Sequence, residues 1–165
     1  MPDASRHVVP LALLLLLAST GSASAQLVAE RPVLTHEGAK VIAAAAEAEA
    51  VRNGWEVVIV VTDAAGELMH LQRMDGAQLG SLQIAQAKAR TSARYRRPSK
   101  SFADGLANGS MTSLILPDAI PLEGGLPVVV GDRVIGAVGV SGVRSSEDAQ
   151  IAQAGIDALL AKLRE

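Results

Sequence analysis

The amino-acid sequence predicts an α+β fold, an antiparallel sheet with helices packed against it. Three observations lead there. Residues 55–62 and 128–130 are rich in valine and isoleucine, the composition of buried strands. Each run is followed by a turn, Asp63-Ala64-Ala65-Gly66 or Gly131-Asp132, and then by a segment able to return alongside it. Segments of helical spacing lie before, between and after these hairpins. The order is therefore α-β-β-α, an irregular stretch, then β-β-α. Consecutive hairpins make the sheet antiparallel, because parallel strands need long crossovers.

Each element has its own signal. Thr35 is an N-cap candidate for a helix that continues through an alanine–glutamate run to Arg52. Asn53-Gly54 ends it, since glycine tolerates the left-handed conformation past a helix. In the return strand at residues 67–74, alternation puts Met69, Leu71 and Arg73 on one face. Leu68, His70, Gln72 and Met74 then share the other. Residues 79–97 form a second helix that Pro98 stops, and Phe102 to Leu106 add a short turn. Residues 108–122, with Gly109, Pro117 and Pro121, are the least regular part. The strand at 133–141 contains Gly136 and Gly139, which mark close approach of a backbone or ligand. Ser145 and Asp148 read as a capping pair for a last helix that reaches Lys162.

The front end has a separate purpose. Arg6 precedes an apolar run with five consecutive leucines, and Ala23-Ser24-Ala25 fits a cleavage site before Gln26. This order predicts a signal peptide at residues 1–25 and one domain at residues 26–165. The apolar core is short of the roughly 20 residues that span a bilayer, so no membrane span is expected after cleavage. The product is expected in a periplasm or outside the cell.

Composition excludes several chemistries. The chain has no cysteine, so disulfides, thiolate catalysis and cysteine–metal sites are absent. Trp55, Tyr95 and Phe102 are all its aromatic residues besides histidine, and its net charge is −2. A base-stacking platform is therefore not expected, and neither is a nucleic-acid partner. There is no H-E-x-x-H and no G-x-S-x-G string. His36 and His70 are the only histidines after the leader, well separated in sequence. An exposed imidazole can ligate haem iron. Lys88, Arg90, Arg94, Arg96, Arg97 and Lys100 form the sharpest charge feature. Arg90, Arg94 and Arg97 share a helix side, either as a solvated face or as a grip for carboxylates such as haem propionates.

Three ordered motifs resemble the GlcG/HbpS family of haem-binding proteins, also called the haem-degrading domain family. A related domain forms the C-terminal part of PduO-type cobalamin adenosyltransferases. Asp63, Gly66, Leu68, Arg73, Met74 and Asp75 fall on the first motif. Ala85, Lys88, Ala89, Thr91, Ser92 and Ala93 fall on the second. Residues 124–128 and 134–142 carry the third. The resemblance implies a profilin-like, five-stranded antiparallel sheet and assembly into dimers or larger homo-oligomers. It also implies haem, iron or a tetrapyrrole-like ligand, and for some exported members a sensor kinase as partner. His36 matches the family's histidine near the start of the first helix, which makes it the candidate iron ligand. Arg73, Lys88 and Glu123 match recurrent polar positions, read either as a pocket for a small anionic ligand or as a buried structural pair.

Three functions stay open on this reading. One is an exported haem binder. Another is an enzyme on a small organic acid, with Arg73 and Lys88 holding a carboxylate and Glu123 as acid and base. The sequence offers no nucleophile motif for that reading, and the balance leans away from an enzyme. The last is an oligomeric partner-binding domain whose alanine-rich first helix packs on a twin.

Overall fold

A computed structural model describes residues 27–165, so the leader expected at residues 1–25 lies outside the described residues. Residues 31–165 fold together. Thr35 caps α1 (His36–Asn53), its Oγ1 accepting from Gly38 N–H at 3.1 Å. Gly54, at φ 68°, closes that helix in the left-handed region. The remaining elements are β1 (Val58–Asp63), β2 (Leu68–Arg73), α2 (Ser81–Tyr95), α3 (Lys100–Ala107), α4 (Thr112–Ile115), β3 (Gly125–Val130), β4 (Arg133–Ser141) and α5 (Ser145–Lys162).

The sheet runs β2-β1-β4-β3 and is antiparallel throughout. The described residues form four strands, not the five that the resemblance implied. The two hairpins supply all of them. The segment from 108 to 122 contributes none, because Pro117 and Pro121 cannot donate to a ladder and the chain there turns into α4.

Two helical layers enclose the sheet. On one face α1 and α5 pack over Ile59, Val61, Val128, Val138 and Val140. On the other, Ala85 and Ala89 of α2 cover Val58 and Val60. β1 is thus buried on both sides, which explains a strand of continuous rather than alternating apolar character. Fully burying one such valine contributes on the order of 1.5–3 kcal/mol. The stripe Ala39, Ile42, Ala43, Ala46 and Ala50 meets Ile151, Ala152 and Ile156 of α5. The alanine face expected to receive a twin is therefore taken by the chain's own last helix.

One local feature corrects the sequence reading and another bears it out. A bulge between Val61 and Thr62 leaves Met69 without a partner, since Val61 faces His70 and Thr62 faces Leu68. Met69 accordingly packs with Met74 on the α1/α5 side instead of with Leu71. The close approach foreseen at Gly139 is made by a backbone. A Cβ there would stand 2.1 Å from the Ala85 carbonyl oxygen and 2.5 Å from Ala89 N.

Candidate functional site

The first turn of α1 carries His36 into solvent. In the sheet, His70 pairs with Val61 and so faces the α1 side. The two rings stand 6.4 Å apart between centroids, tilted by 47°. Residues separated by 34 positions in the chain thus form a close imidazole pair. Beside them, Lys40 hydrogen-bonds Glu37 at 2.7 Å and holds its carboxyl below the usual range, with a smaller pull from His36. The pair offers two nitrogen donors at an accessible surface, the chemistry that binds a transition-metal centre.

Lys88 belongs to a different place. It lies in the buried stripe of α2 with Ala85, Ala89 and Ser92, 1 % exposed. Its ammonium donates to Asp148 Oδ2 at 2.7 Å and to the Val140 carbonyl at 2.9 Å. Asp148 also accepts from Val143 N–H at 3.2 Å. Burial pushes the Asp148 carboxyl up, outweighing the pull of the Lys88 ammonium. Asp148 therefore does not cap α5. Glu147 does, accepting from Arg144 N–H at 3.0 Å. Of the two readings of Lys88, the geometry is that of the buried structural pair, although its partner is Asp148 rather than Arg73 or Glu123.

Glu123 is half-buried in the turn before β3, with Gly124 after it sitting over the Lys88 ammonium. It makes no ion pair among the described residues. Arg73 is exposed at the far end of β2 and pairs with Val58, so it faces the α2 side, opposite to His70. The four candidate residues therefore do not converge on one cavity. His36 finds His70, Lys88 neighbours Glu123 through Gly124, and Arg73 stands apart.

The cationic helix is equally divided. Arg94 is a staple, donating to the Ala65 carbonyl and pairing with Glu67 and Asp118. Its neighbour Arg90 packs against Gly66. Arg97 lies with its guanidinium carbon 4.5 Å from the Phe102 ring centre. These arginines lie on the α2 side of the sheet, so within one protomer they cannot grip a ligand held at His36.

His70 and Asp148 are the residues that the reading of the sequence missed as partners. A signal existed for Asp148, which falls on the α5 stripe with Ile151, Ala152 and Gly155 at spacings of three, four and seven. Lys88 falls on the apolar stripe of α2 in the same way. Each stripe marks its charge as buried, and neither names the other as its partner.

The comparisons agree with this architecture. The family model described as "Haem degrading protein HbpS-like" matches residues 34–157. Protein GlcG of Escherichia coli K12 is 44% identical over 109 residues, which cover 66% of this chain and 81% of that protein. Among solved structures, a double mutant of Streptomyces reticuli HbpS superposes with a TM-score of 0.75 at 28% identity, covering 96% of this chain and 99% of the other. A PduOC:Heme complex superposes with a TM-score of 0.71 at 26% identity, covering 77% and 95%. With its motifs in order, its sheet enclosed as described and a family match over most of its length, this chain belongs to the HbpS-like family, described as haem-degrading.

Proposed function

We propose that this chain binds haem or a related tetrapyrrole, with His36 as the iron ligand, and works as an exported homo-oligomer rather than as a catalyst. The observation that carries the reading is the exposed His36 imidazole with His70 beside it at 6.4 Å. Haem iron takes an axial histidine, and a second imidazole at the same surface can ligate or hydrogen-bond on the same site. The family description and the PduOC:Heme complex support the ligand class. Bound haem would supply the redox-active iron, and this chain's own residues would hold and orient it.

His36 lies at a surface, and neither of the cavities beside α2 is lined by it. A ligand there would be completed by a second copy of the chain, which is why the reading includes an oligomer. The catalytic alternative has weaker support. Lys88 is sealed in its pair with Asp148, and those cavities are lined by none of Arg73, Lys88 and Glu123.

Titrating the mature protein with ferric haem tests the proposal. The expected result is a shifted Soret band saturating at a fixed ratio of haem to chain. His36→Ala abolishes the shift, and His70→Ala alters its position or weakens binding about tenfold. A spectrum identical to free haem at stoichiometric protein, or full retention in His36→Ala, overturns it.

A further inference from the structure

The turn after α2, together with α3 and α4, borders an open hollow of about 250 Å³. Its lining combines one cation, several hydroxyls and two apolar walls, and contains no acid. Arg97 supplies the cation. The Phe102 ring 4.5 Å from its guanidinium carbon orients it, and no carboxylate lies within ion-pair distance of it among the described residues. Ser110 and Thr112 hydroxyls line the same hollow 3.2 Å from each other. Ser113, 5% exposed, is the most telling. Its Oγ is buried in the wall of the hollow, out of reach of solvent, and has no hydrogen-bond partner among the described residues. An unpaired buried hydroxyl is costly, and native proteins keep few of them without a ligand, ion or water to satisfy it.

We infer that this hollow is a binding site for a small organic carboxylate. A carboxylate accepts from the Arg97 guanidinium in a charge-assisted pair, which a neutral amide forms more weakly and a cationic ligand cannot form, with the unpartnered Ser113 hydroxyl as a second donor once the ligand is seated. Phe102 and Leu116 then border a short apolar body. The volume lies below the usual range for drug-sized ligands, so the acid has only a few carbons beyond its headgroup. The site shares no residue with the His36–His70 pair, and it stands whether or not haem binds there.

Calorimetry and amide-shift titrations with acetate, butyrate, benzoate and inorganic phosphate, beside the neutral butyramide, test this on the full mature chain. At least one of the carboxylates is expected to bind saturably, with shifts confined to α3, α4 and the turn after α2, while butyramide binds more weakly. Arg97→Gln is expected to lose about tenfold or more in affinity, and Arg97→Lys less, because the fork is lost but the charge stays. Ser113→Ala is expected to weaken binding several-fold while raising the melting temperature of the free protein, a combination that a merely structural serine would not produce. Binding of phosphate with none of the acids, affinity unchanged in folded Arg97→Gln, or no saturable binding of any carboxylate would each overturn the assignment.

Discussion

The Lys88 ammonium and the Asp148 carboxylate meet where α2, β4 and the first turn of α5 come together, each about 1% exposed. Removing one partner from such a pair strands the other charge in the core, at a cost of about 3–5 kcal/mol. Lys88→Met, which strands the Asp148 carboxylate, is therefore expected to lose about 3 kcal/mol at neutral pH, read as a lower urea midpoint. The pH dependence has a definite sign. Burial raises the folded-state value for Asp148 above its ordinary 3.8, so the folded chain holds this proton more tightly than the unfolded chain does. The contribution is complete below the unfolded value and is lost as the pH rises through the folded one. The gap between wild type and Lys88→Met should narrow as the pH falls through the carboxylate range, because without the ammonium the buried Asp148 carboxyl gains still more from its proton. A gap independent of pH would show that the ammonium has no hold on the Asp148 titration.

Packing of elements depends on where side chains are missing. α2 approaches β4 so closely that Gly139 has no room for a methyl group against the Ala85 carbonyl. Gly139→Ala must displace the helix or bend the strand. Overpacking of this kind costs about 1–3 kcal/mol, and a clash with backbone places it near the top of that range. Thermal unfolding followed by circular dichroism should show a fall of several degrees, and an unchanged midpoint would mean that α2 can lift away freely. Gly139 was legible in the sequence as a close approach, and so were both turns, the N-cap at Thr35 and the stop at Gly54 as local signals. The bulge at Met69 was not legible, because one extra residue in a strand leaves no compositional trace.

At the scale of the whole molecule, the sheet ends in two edges, β2 and β3, and exposed Leu68 and Val129 lie on them. Open edges with apolar residues are surfaces that proteins cover or pair. No described helix is long and apolar enough to cross a membrane. Native mass spectrometry of the protein purified from its own host should find a chain beginning at Gln26 and more than one copy per particle. A chain retaining its first residues would refute export with cleavage, and a monomer would refute the oligomer. The family itself was readable from three ordered motifs, and the match over residues 34–157 bears that reading out.

Local chemistry was enough for the class of fold, the element order and the family, since capping, turn geometry and hydrophobic period act over a few neighbouring residues. Side-chain partners are set by how layers stack, and no local rule carries that information. Tertiary structure alone set His36 beside His70, turned Lys88 from a ligand candidate into the partner of Asp148, and put the arginines of α2 across the sheet from the histidines. The physical reason is the doubly buried strand β1. Its two faces belong to different helical layers, so groups that look like one site along the chain are divided by the core.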